Sequence, residues 1–222
     1  MRSLTYIIAK HCVILVIICL AQFKLNAQTT TGSIVMKTTA MPNNEVLRDM
    51  MRFYDMEYYT VNFTGDLKGK DYSITVKEIW NGKIKNVDTL FNSASEEFSF
   101  LGKLATDTLS FRIAAAKKGS KKLKMNFYFN RIGIYKEYKS TSSNSYSLRD
   151  VGTQLPITTN KPFYAFAYIL PYELKGGGSS WCAVESSGKD IEHWGTAFGI
   201  KHYLLIEMNF TNAVTPAIAS KK

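Results

Sequence analysis

Along most of the chain apolar and polar residues alternate with a period of two, and two segments switch to a helical period, so the pattern predicts strands interrupted by two short helices. The clearest stretch runs from Asp71 to Phe91. Asn81-Gly82 is the pair that a two-residue type I′ turn favours, because both central positions take positive φ. Counting outward places Trp80 opposite Lys83, Glu78 opposite Lys85, Val76 opposite Val87, Ile74 opposite Thr89 and Tyr72 opposite Phe91. Each pair is chemically sensible: β-branched and aromatic residues meet far from the turn, while an acid faces a base and an indole faces an ammonium near the tip.

A second hairpin is predicted from Thr108 to Ala116 and Lys122 to Phe129. A two-residue Gly119-Ser120 loop would set Ile113 opposite Asn126 and Phe127 opposite Arg112, mixing two faces that alternate cleanly within each strand. An odd loop of three or five residues keeps the faces apart. With three, Phe111 meets Phe127, Ile113 meets Met125 and Ala115 meets Leu123.

The same reading predicts strands at Ser33 to Thr38, Glu57 to Phe63, Glu97 to Leu101, Ile132 to Lys139 and Lys201 to Phe210, with another beginning at Trp181. In the segment Lys201 to Phe210 the inward face is assigned to His202, Leu204, Ile206, Met208 and Phe210. Phe163 to Leu170 is apolar on both faces and is expected to be a central strand. One helix is predicted over Glu45 to Phe53, behind an N-cap in Pro42-Asn43-Asn44, with Val46, Leu47, Met50, Met51 and Tyr54 at helical spacing. The other runs from Ser187 to Gly199, with Ser187 and Asp190 as a capping-box-like start, Ile191, Trp194 and Phe198 as its apolar face and Gly199 as its C-cap. These elements predict a mainly β fold: a single antiparallel β-sandwich-like domain with two short helices, over residues 33 to 211, followed by a flexible tail from 212 to 222.

The first 27 residues change the picture of location. Arg2 and Lys10 precede the apolar run Val13 to Ala21, and Ala27 closes the segment, which resembles a secretory signal peptide followed by a polar leader at residues 28 to 32. The apolar run is about half the ~20 residues a transmembrane helix needs. The chain is therefore expected to be exported, whether to a periplasm, a cell surface or the medium. Cleavage would take three of the 28 basic residues and none of the 18 acidic ones, so the exported chain carries +7. Cys12 and Cys19 lie in the signal segment. The remainder holds Cys182 alone, and its fold must rest on its core rather than on an internal disulfide.

Cys182, His193, His202, Asp190 and Glu192 are the residue types of a thiol nucleophile, its base and an orienting carboxylate. A secreted hydrolase with a site near Cys182 and His193 is accordingly the alternative function. Trp181-Cys182-Ala183-Val184, however, matches no established cysteine-enzyme signature, so Cys182 is expected to be structural. No H-x-x-x-H or C-x-x-C spacing occurs, and no metal or other cofactor is expected. Gly176-Gly177-Gly178-Ser179 lacks the phosphate-loop spacing and reads as a hairpin loop. The remaining candidate is the lysine-rich turn of the second hairpin, Lys117, Lys118, Lys121, Lys122 and Lys124, a local positive field suited to polyanions. Its aromatic neighbour Phe127 belongs to the core face, which disfavours nucleic acid. The sequence thus points to an exported, non-catalytic binding or structural domain of unknown ligand, associating with anionic glycans or cell-envelope surfaces.

Overall fold

The computed structural model describes residues 33 to 181 and 190 to 212. The expected leader, the C-terminal tail beyond 212 and the segment holding Cys182 fall outside those residues. In chain order the strands are β1 (Val35–Ala40), β2 (Met56–Thr64), β3 (Asp71–Trp80), β4 (Lys83–Asn92), β5 (Thr108–Lys118), β6 (Lys122–Tyr128), β7 (Gly133–Lys139), β8 (Ser147–Asp150), β9 (Phe163–Ile169), β10 (Tyr172–Glu173), β11 (Ser179–Ser180) and β12 (His202–Thr211). Two α-helices, α1 (Glu45–Phe53) and α2 (Trp194–Phe198), and three short 3-10 turns complete the described elements.

The fold is mainly β, as the alternation predicts, with two five-stranded antiparallel sheets in the orders β1-β2-β5-β6-β7 and β4-β3-β12-β9-β8. Their apolar faces meet in one core. Phe63 of the first sheet packs against Phe163 and Phe210 of the second, with ring centroids 5.9 and 5.2 Å apart. Offset aromatic contacts of this kind add about 0.5–1.5 kcal/mol each beyond the area they bury. Both open sides of the sandwich are stitched by polar contacts. On one side Lys136 of β7 pairs with Asp88 of β4 at 3.2 Å; on the other the Thr38 hydroxyl donates to Asp150, and the Glu57 carboxylate accepts from the Leu148 N–H.

The first hairpin forms at Asn81-Gly82, with φ of 50° and 72° as a type I′ turn requires. Its register departs from simple counting. Trp80 faces Lys83, but Glu78 faces Asn86, Val76 faces Asp88 and Ile74 faces Phe91, because the register shifts between Glu78 and Ile79 and again between Ile74 and Thr75. Each shift leaves an extra residue in β4, first Lys85 and then Leu90. The second bulge turns both Leu90 and Phe91 into the core, which strict alternation forbids. In the second hairpin the loop has three residues, with Lys118 opposite Lys122. It sits one residue further on than predicted, so Ile113 faces Phe127 and Ala115 faces Met125. The displacement in register is even, and the two faces are preserved.

Three further expectations change. Glu96–Leu101 is a 3-10 turn rather than a strand: Phe98 N donates to Ser95 O and Gly102 N to Ser99 O as the chain crosses from β4 to β5 in the other sheet. The predicted helix start at Ser187 lies outside the described residues; Asp190 adopts φ 54°, outside helical space, and the chain continues as a 3-10 turn at Ile191 that becomes α2 at Trp194. Gly199 does cap it, at φ 68°. Finally, β12 lies in the middle of its sheet and is covered on both faces, so Tyr203 and Leu205 are as buried as Leu204 and Ile206. Tyr203 is held by α2 and the turn before it, accepting from Gly195 N at 3.2 Å and donating to Glu192 O at 2.7 Å.

Candidate functional site

The helix α1 has the bounds its sequence predicts. The Asn44 side chain accepts from Leu47 N at 3.0 Å, and Arg48 donates back to the Asn43 carbonyl at 2.8 Å, fixing the N-terminal turn. Its apolar residues face an unexpected way. Only Met51 is buried, whereas Val46, Leu47, Met50, Phe53 and Tyr54 are exposed, Val46 to 70% and Phe53 to 81%. At about 100° per residue these five fall within an arc of roughly 120°, and Met51 lies just beyond its edge. The helix therefore rests on the domain by the border of its apolar stripe and presents the stripe itself outward.

The lysine turn rises beside it. Met56, at the start of β2, pairs with Ala116 near the end of β5, which brings the C-terminal end of α1 next to the β5–β6 loop. The two form lips of an open depression of about 840 Å³, lined by Arg52 and Tyr54 from α1 and the segment after it, by Lys117 and Ser120, and by Glu57 and Tyr146. Burial raises the Glu57 pKa, against the lowering effect of its bonds to Leu148 N and Ser147.

The five predicted lysines divide into different roles. Lys117 continues the inward face of β5. Its ammonium donates to the carbonyls of Thr141 and Ser143 and lies over the Tyr146 ring, and burial pulls its pKa down. It is a structural strut rather than part of the outer field. Lys118 and Lys122 stand opposite each other, and Lys122 stands opposite Lys139, so three lysines lie abreast on adjacent strands. Like charges directly opposed across strands repel. Glu137 offsets part of this by pairing with Lys118 and Lys122, which hold its pKa down to about 2. Among the described residues Lys121 and Lys124 have no carboxylate partner. Lys139 was not among the predicted residues; only the pairing of β6 with β7 reveals it.

Of the residues of the hydrolase alternative, Cys182 lies outside the described residues, and His202 stands apart from Asp190, Glu192 and His193. His202 is fully buried on the inner face of β12, with Nδ1 2.7 Å from the Tyr146 hydroxyl and its ring 4.1 Å from that of Trp80. Tyr146 Oη also accepts from Thr141 N, and His202 Nε2 lies 3.5 Å from Glu78, at the outer limit of a hydrogen bond. Desolvation, reinforced by the Lys117 charge, lowers the His202 pKa to about 4. Glu192 is elsewhere, on the outer face of the second sheet, where Lys77 binds it at 2.7 Å and Glu207 at 2.8 Å. His193 and Asp190 pair with each other at 2.6 Å in solvent. Among the described residues no three His, Cys, Asp or Glu side chains are grouped to hold a metal ion, and no helix is long and apolar enough to cross a membrane.

Comparison with known protein families, with curated proteins and with solved structures finds no match, so the functional reading rests on this geometry alone.

Proposed function

We propose that this chain is an exported, non-catalytic binding domain that docks on an anionic surface of the cell envelope through the end of the sandwich carrying α1 and the β5–β6 turn. The observation behind this reading is the row Lys118, Lys122 and Lys139, three like charges opposed across adjacent strands with one carboxylate among them. Such a row is unfavourable in the free protein and is relieved when an anionic surface covers it. Lys121 and Lys124 extend the field at the turn. Lys77, by contrast, is engaged internally between Glu192 and Glu207.

Retention on an immobilised sulfated polysaccharide, used as a generic polyanion, tests the charge component. Wild type should be retained and released by salt. A variant carrying Lys121→Gln, Lys124→Gln and Lys139→Gln should elute much earlier with an unchanged thermal midpoint. Equal retention of the two would overturn the assignment of this face.

A further inference from the structure

We infer that the anionic surface is a lipid bilayer, along which α1 lies flat with Val46, Leu47, Met50, Phe53 and Tyr54 at the acyl boundary while the lysine turn engages headgroup phosphates. This rests on the docking face proposed above and names its partner. The lysines alone do not distinguish a lipid from an anionic glycan, but the stripe beside them does. A polysaccharide offers sulfates or carboxylates and could stack a sugar face on Phe53 or Tyr54, but it has nothing to cover the aliphatic Val46, Leu47 and Met50 that complete the stripe. A second copy of the chain would cover the stripe, but an isologous contact there would also bring two lysine turns of the same sign together. A bilayer rich in anionic lipid meets both demands, with hydrocarbon for the stripe and phosphate for the ammonium groups.

The helix dimensions fit this role. Nine residues span about 13 Å, far short of the ~30 Å hydrocarbon core, so α1 can lie in the interface but cannot cross it. Its polar side carries Glu45, Arg48, Asp49 and Arg52, which balance in charge, so electrostatic attraction must come from the adjacent turn. A stripe this short gives marginal binding without a basic patch, as a single lipid anchor does. Tyr54, at the C-terminal end of the stripe, has the apolar ring and polar tip favoured at headgroup level.

Co-sedimentation with vesicles tests the inference, comparing vesicles rich in phosphatidylglycerol with vesicles of phosphatidylcholine alone. Every variant is exported and processed as wild type is, so that the apolar segment at residues 1 to 27 contributes to none of the measurements. Wild type should bind the anionic vesicles and not the neutral ones. The triple lysine variant should bind on the order of 100-fold more weakly, and a Val46→Ser, Phe53→Ser variant should lose binding while keeping its thermal midpoint and its retention on the polysaccharide. Retention on the polysaccharide with no binding to anionic vesicles would overturn the lipid assignment and leave the docking face standing; loss of both would overturn the two together. Sedimentation equilibrium showing a dimer that Phe53→Ser dissociates would assign the stripe to a second copy instead.

Discussion

Gly195 of α2 packs its backbone directly on Gly82 of the β3–β4 turn: a Cβ on Gly195 would lie 2.5 Å from the Gly82 nitrogen, and one on Gly82 would lie 2.2 Å from the Thr196 hydroxyl oxygen. The turn is held from the same side by a bond from Asn81 N to Lys201 O at 2.8 Å. Gly82 thus answers to two constraints, its positive φ and the absence of room. Replacing Gly82 with valine should cost roughly 3 kcal/mol or more, whereas replacing the neighbouring exposed Lys83 with alanine should cost under about 0.5 kcal/mol. Gly195→Ala should also destabilise, although alanine is the better helix former. Urea unfolding midpoints check all three, and equal midpoints for the Gly82 and Lys83 variants would refute the packing.

His202 makes stability depend on pH. Its folded pKa, about 4, lies below the ordinary value near 6.5, so the unfolded chain binds the extra proton first as pH falls. The stability held by the neutral ring is complete above about 6.5 and is lost progressively down to about 4, a loss of about 3 kcal/mol from this group. The groups facing the ring are Tyr146, Trp80, Glu78 and Lys117. A His202→Gln variant should show a flatter dependence between pH 4 and 6.5, measured by denaturant titration at each pH. An unchanged slope would mean that the ring is already protonated in the fold.

Lys77 fastens the segment before α2 to the sheet. Burial lowers its pKa, but hydrogen bonds to Glu192, Glu207 and Tyr164 outweigh that and raise it above the ordinary lysine range. Lys77→Met should remove about 1–2 kcal/mol, a figure held down by the partial exposure of Glu192. Hydrogen exchange should speed up first around residues 191 to 195. Uniform exchange across the domain would argue against a local fastening.

Met51 should carry most of the docking energy of α1. Met51→Ala should cost about 2–3 kcal/mol, while Phe53→Ser, at a site 81% exposed, should stay within about 0.5 kcal/mol. Thermal melts of the two variants decide this. A large loss from Phe53→Ser would mean that the stripe packs against the domain in solution.

Local rules read much of this fold from the sequence. Asn81-Gly82, the Asn44 cap, Gly199 and the odd loop after Lys118 each follow from backbone chemistry confined to a few residues. What escaped depends on the partner across space. The bulges in β4 answer to the depth at which Leu90 and Phe91 meet the core. In the lysine cluster, the alternation that buries Ala115 also turns Lys117 inward, a reading available from β5 alone, but Lys139 joins the row only through β7. The stripe of α1 is legible as an amphipathic pattern, yet a pattern does not say whether its apolar side meets the protein or something else.

The strands on either side of α1 are direct neighbours: Ala40 pairs with Tyr59, and Met41 N still donates to Tyr58 O at 3.1 Å. The helix is therefore an excursion within one hairpin, whose ends are closed before it begins by backbone bonds that none of its side chains makes. On the docking mode proposed above, specificity and architecture are separable. A different helix, or a longer one, fitted between residues 42 and 55 with an apolar anchor in the place of Met51 would then retarget the domain while the ten-stranded frame stayed the same, so that this connection serves as an interchangeable head.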